Sequence, residues 1–127
     1  MEWYFGFSNP NSDLNLEDFR SRDALWDQTR IALEFFQREL PFITMGPLDQ
    51  ASSDPEDYVF ADPGVVCAVY LPQGGESMID LVTGSYAVRW YNPRSGGALR
   101  NGTRAAVSGG EDVSLGRPPE DDGQDWV

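Results

Sequence analysis

The chain contains no lysine and no histidine, and only one cysteine, Cys67, among 127 residues. Each absence removes a class of chemistry. Without histidine there is no Ser-His-Asp or Cys-His catalysis and no His-ligated zinc or iron. One cysteine allows no intrachain disulfide. Its setting, Val65-Val66-Cys67-Ala68-Val69-Tyr70-Leu71, is apolar and holds no cation, so a small buried hydrophobe is the expected role rather than a reactive thiol. Positive charge is scarce: nine arginines face 21 acids, for a net charge of −12. Nucleic-acid binding and electrostatic attachment to anionic lipid both need a basic cluster, and both are disfavoured. The N-terminus, Met1 to Phe7, is apolar but lacks a basic n-region and a small-residue cleavage site. It reads as neither a signal peptide nor a membrane span.

What is present is a globular composition. Hydrophobic residues make up 40% and include four Trp, five Tyr and seven Phe, too many for a disordered acidic tail. The length suits one core rather than two full domains. The acid excess without lysine fits a high-salt habitat or a GC-rich genome equally well.

Two textures divide the chain. After a short strand-like opening, residues 14–40 follow a helical pattern. Leu25, Thr29, Ala32 or Leu33, Phe36 and Leu40 recur at spacings of three and four, and Trp26 widens the stripe. Arg30 and Glu34 are placed to pair along the helix. Asn15 or Ser21 suits the N-cap, and Pro41 ends the helix. Residues 47–55 read as a polar linker. Beyond them, short β-like runs alternate with turns: 57–61, 65–71, 77–81, 86–91, 104–107 and 113–115. The turns fall at Pro63-Gly64, Gly74-Gly75, Thr83-Gly84, Asn92-Pro93-Arg94-Ser95-Gly96 and Gly109-Gly110. Strands at a spacing of about ten residues predict an antiparallel sandwich or barrel. The expected fold is therefore mainly β: a small antiparallel β-sandwich preceded by one strand and a long amphipathic α-helix. The expected divisions are 1–48, a linker at 49–56, and a β domain at 57–127. Trp126-Val127 looks like the opening of a strand.

Alternation in Tyr86-Ala87-Val88-Arg89-Trp90-Tyr91 puts Tyr86, Val88 and Trp90 on one face and Ala87, Arg89 and Tyr91 on the other. With Trp90 in the core, Arg89 and Tyr91 face outward as a candidate ligand platform, and Arg94 joins them from the adjoining turn. No catalytic residue emerges from the pattern. Trp3, Tyr4, Phe5 and Phe7 suit either sugar stacking or a core, and core packing is favoured. No cofactor is expected. Two acid groups, Asp54/Glu56/Asp57/Asp62 and Glu120/Asp121/Asp122/Asp125, carry the oxygen ligands calcium takes, but neither matches an EF-hand loop, and solvated acid is the favoured reading.

Two stretches also resemble known families. The strings Glu2-Trp3-Tyr4-Phe5-Gly6, Glu17-Asp18-Phe19-Arg20, Leu25-Trp26-Asp27 and Ala32-Leu33-Glu34-Phe35-Phe36 make residues 1–48 similar to the end of a glycoside-hydrolase-like (β/α)8 barrel of the apiosidase-like superfamily. Asp57-Tyr58-Val59-Phe60-Ala61, Val69-Tyr70-Leu71-Pro72, Tyr86 to Arg94 and Asp125-Trp126-Val127 make residues 56–127 resemble the domain that follows such barrels, labelled a collagen-binding domain of a collagenase. The resemblance implies a last β/α unit of a barrel whose other units lie outside this sequence. Glu2 and Trp3 would then be vestigial barrel lining. It implies a non-catalytic accessory module for collagen-like protein or polysaccharide, beside a glycan-acting enzyme that is secreted or envelope-associated. The rival expectation is a C-terminal portion of a glycoside hydrolase that contributes to catalysis only with its barrel.

Overall fold

The computed structural model describes residues 23–120 and 123–127. Helix α1 spans Asp23–Glu39. Strand β1 (Gly46–Pro47) is followed by a 3-10 turn at Asp49–Ala51, then β2 (Tyr58–Asp62), β3 (Val66–Tyr70), β4 (Met78–Ala87) and β5 (Ala106–Ser114). Two antiparallel sheets result, one ordered β1-β2-β3 and the other pairing β4 with β5. The protein is thus mainly β, a small sandwich preceded by a helix.

Alternation builds the first sheet. In β2, Val59 and Ala61 point inward and are buried, while Tyr58 is exposed. β3 pairs with it in the register Tyr58 to Tyr70, Phe60 to Ala68 and Asp62 to Val66. The inward side chains join Leu71, Ile79, Val88, Trp90, Val107 and Trp126 in one core. Each fully buried aliphatic or aromatic side chain there is worth about 1.5–3 kcal/mol. Trp90 and Trp126 meet edge to face at 6.5 Å. Neither indole N–H finds an acceptor among the described residues.

The C-terminus fastens the two sheets together. Leu71 and Trp126 exchange both backbone hydrogen bonds (2.9 and 3.1 Å), and Tyr91 and Val127 do the same (2.7 and 3.1 Å). The strand-like opening expected at Trp126-Val127 is therefore paired on both sides.

Three expectations are corrected. First, the runs 77–81 and 86–91 are not separate hairpin arms. β4 runs through Thr83-Gly84, and β5 runs through Gly109-Gly110, with register shifts between Ile79 and Leu81 and between Leu81 and Ser85. The glycines serve close approach instead of chain reversal: a Cβ on Gly109 would lie 1.9 Å from the Val82 carbonyl oxygen. Second, residues 47–56 are fastened to the sheet. The Leu48 amide donates to the Val59 carbonyl at 2.8 Å and Ser52 bridges to Ile79. The acids that suggest a solvated linker are internal acceptors: Asp49 accepts from the Val59 amide at 2.7 Å, and buried Asp57 accepts from Ser52 (2.8 Å) and Ser77 (2.5 Å). Third, the buried stripe of α1 is not the predicted one, since Leu25, Thr29 and Leu40 are only half-buried and Ala32 is exposed. Ile31 and Phe35 are its buried residues, whereas Trp26, Leu33 and Phe36 are exposed. Ile31 and Phe35 pack with Tyr91, and with Leu40 and Val127 beside it, as a second small cluster. The end of α1 at Glu39 follows from Pro41, and the part expected over 14–22 lies outside the described residues.

Candidate functional site

The register of the first sheet puts Pro47, Tyr58, Phe60, Ala68 and Tyr70 on its outward face. Tyr58 and Tyr70 form a cross-strand aromatic pair, with ring centroids 6.2 Å apart and planes at 38°. Tyr58 is 61% exposed. Phe60 meets Phe36 of α1 at 6.2 Å, near edge to face, and Phe36 meets Phe42 at 6.4 Å. Helix and sheet thereby enclose a groove of about 580 Å³, lined by these rings with Pro47 and Pro93, and edged by Gln28, Asp49 and Asp125.

One end of the groove is held by a polar network. Tyr70 donates to Asp125 Oδ2 at 3.1 Å. Arg94 donates through Nη1 to Asp125 Oδ1 at 2.9 Å and to the Asp125 carbonyl at 2.7 Å. The Arg94 guanidinium also lies 5.5 Å from the Trp126 ring centroid. Burial first, and then the Asp125 charge, raises the Tyr70 phenol above its usual range, so it stays a donor. The Asn92 carboxamide accepts from the Arg94 amide at 3.0 Å, as expected of the turn.

The three candidate residues do not form one platform. Tyr91 is buried, at 4% exposure, because α1 covers the face that alternation leaves outward. Its hydroxyl donates to the Ile31 carbonyl at 3.2 Å and its ring lies 4.5 Å from Phe35. Arg89 is exposed, and its guanidinium donates to the Val88 and Ala105 carbonyls at 2.7 and 3.3 Å. Of the three, Tyr91 lines the inner wall of the groove, and Arg94 reaches the groove through its bonds to Asp125. Glu2 and Trp3 lie outside the described residues. Sequence reasoning missed the Tyr58–Tyr70 pair. The signal lay in the two β-like runs 57–61 and 65–71, whose tyrosines become neighbours once the runs are paired in antiparallel register. Among the described residues, no group of three or more His, Cys, Asp or Glu side chains gathers to hold a metal ion.

The described part is thus a two-sheet β-sandwich with an aromatic groove on one outer face. The family model described as "Putative collagen-binding domain of a collagenase" matches residues 47–127, and the chain belongs to that family. The match begins at Pro47, so it takes in β1 and the fastened 47–56 segment and leaves α1 outside. No curated protein and no solved structure shows significant similarity to the chain.

Proposed function

We propose that this chain is a non-catalytic binding module that holds an extended, proline-rich polypeptide of the collagen type in the groove between α1 and the first sheet. The observation that carries the reading is the Tyr58–Tyr70 pair, continued by Phe60 and Pro47 on one open face. Aromatic-lined grooves suit polyproline II segments, whose shape is set before binding, so little entropy is lost. A collagen triple helix presents three such chains. The net charge of −12 favours collagen segments carrying Lys or Arg, and salt weakens that contribution. Polysaccharide is the second reading, since the exposed Tyr58 ring also offers a flat face to a sugar.

The exposed apolar residues of α1, Trp26, Leu33 and Phe36, support the further proposal that a glycan-acting barrel domain packs on that side. The test of the main reading is surface plasmon resonance with an immobilised (Gly-Pro-Hyp) triple-helical peptide carrying Arg in place of some Hyp. Tyr58→Ala and Tyr70→Ala are each expected to weaken binding about tenfold, equivalent to about 1.4 kcal/mol. Equal binding by both variants and the parent, or retention on polysaccharide alone, would reject the groove as a collagen site.

A further inference from the structure

Residues 101–104 form an irregular loop between two backbone pairings. Before it, Trp90 and Arg100 exchange both hydrogen bonds at 2.8 Å; after it, Val88 donates to the Ala105 carbonyl at 2.9 Å. The loop packs against Trp90 at Gly102. A Cβ there would lie 2.2 Å from the Arg117 carbonyl oxygen and 2.3 Å from Trp90 Nε1, so this packing requires glycine. The residue before it is Asn101, which is exposed.

Asparagine followed by glycine carries a reaction of its own. The backbone nitrogen of the following residue attacks the carboxamide carbon, and a side chain on that residue hinders the approach. Regular structure also opposes the attack, because ladder hydrogen bonds hold the amide in place. Neither restraint operates at Asn101. Gly102 has no Cβ, and among the described residues neither its amide nor the Asn101 carboxamide has a hydrogen-bond partner. Asn92, the other asparagine among the described residues, is the opposite case. Its carboxamide accepts from the Arg94 and Ser95 amides at 3.0 and 3.2 Å, and Pro93 after it has no amide N–H.

We propose that Asn101 is a site of spontaneous deamidation in the folded chain, with water as the co-reactant. The Gly102 nitrogen gives up its proton and bonds to Asn101 Cγ, the Cγ–Nδ2 bond breaks, and the nitrogen leaves as ammonia with that proton. Water then adds to either carbonyl of the cyclic imide. Opening at Cγ gives aspartate. Opening at the Asn101 backbone carbonyl gives isoaspartate, in which the chain runs through the side-chain carbons. Nothing is oxidised or reduced. Either product adds a negative charge within residues 81–110, which hold Arg89, Arg94, Arg100 and Arg104 and no acid. The new carboxylate adjoins Arg100 in sequence and competes for it with Glu120, which lies 2.9 Å from that guanidinium. Isoaspartate also lengthens the backbone by a methylene, and Gly102 has no room to absorb it between Trp90 and Arg117. The aspartate form therefore keeps the fold, and the isoaspartate form loosens it.

The test is to age the folded full chain in warm, mildly alkaline heavy-oxygen water and to map its peptides by mass spectrometry, beside the same chain aged in urea. The Asn101 peptide is expected to convert in both samples, to gain a heavy oxygen in the new carboxyl group, and to separate into aspartate and isoaspartate forms. The Asn92 peptide is expected to stay unchanged, and Asn101→Gln is expected to lose the conversion. The aged chain is expected to melt below both Asn101→Asp, which has the same charge on an ordinary backbone, and Asn101→Gln aged alongside. An Asn101 peptide that stays unconverted in the folded chain would overturn the proposal, whatever happens in urea. So would conversion to aspartate alone, or without heavy oxygen, because neither fits opening of the imide by water. An aged chain that melts level with Asn101→Asp would overturn the loosening by isoaspartate.

Discussion

Trp126→Ala tests the idea that the last two residues hold the sandwich together. Trp126 is fully buried and touches Trp90, and the Arg94 and Arg100 guanidinium groups lie 5.5 and 5.6 Å from its ring centroid. Burying a Trp removes about 150–250 Å² from water, worth about 4–6 kcal/mol at 25 cal/mol per Å². Core Trp to Ala changes cost about 3–5 kcal/mol when the cavity term is included. The indole N–H has no acceptor among the described residues, so its removal returns about 1 kcal/mol or more. The net expectation is a loss of about 2–4 kcal/mol, a large share of the roughly 5–15 kcal/mol that holds a typical domain. In urea unfolding followed by far-ultraviolet circular dichroism, the midpoint should fall by about 1–3 M. Trp26→Ala, on the exposed side of α1, should move it far less. A Trp126→Ala shift no larger than that of Trp26→Ala would refute the reasoning.

Three further outcomes follow from the packing. Gly102→Ala places a Cβ 2.2 Å from the Arg117 carbonyl oxygen and 2.3 Å from Trp90 Nε1, so thermal melting should show a loss of about 2 kcal/mol or more; an unchanged melting temperature would contradict the close approach. Tyr91→Phe removes the hydroxyl that donates to the Ile31 carbonyl, and should cost about 1 kcal/mol and speed amide exchange in α1; unaltered α1 exchange would mean that this bond does not dock the helix. Burial pushes the Cys67 thiol up to about 11 from 9.0, so the folded state keeps its proton longer than the unfolded state. That contribution is complete below about pH 9 and is lost as pH rises through about 11; urea midpoints should therefore fall more steeply over that window than in Cys67→Ala, and identical slopes would rule the contribution out.

The strands of the first sheet were legible because Tyr58-Val59-Phe60-Ala61 alternates with one buried face and Val66 to Tyr70 is a short apolar run bounded by turn residues. The glycines of the second sheet misled, since a glycine packed under a carbonyl and a glycine in a turn look alike in a sequence. Gly109 against Val82 is such a case. Residues 47–56 read as solvated because Asp49, Ser52 and Asp57 are polar, yet their side chains bond within the fold. Tyr91 was assigned outward from strand parity alone. Parity gives the side of the sheet, but not whether a helix covers that side, and α1 does. The groove escaped for a related reason: Tyr58 and Tyr70 are twelve residues apart and become neighbours only through strand register.

The central claim is that the Tyr58–Tyr70 face holds collagen-like polypeptide. Chemical-shift mapping of the full chain with an Arg-containing (Gly-Pro-Hyp) triple-helical peptide tests it most directly. The account predicts shifts confined to Pro47, Tyr58, Phe60, Tyr70 and the facing side of α1, and their loss when the peptide is heated past its unfolding transition. Binding that leaves those resonances unmoved, or that persists unchanged with the unfolded peptide, would contradict it.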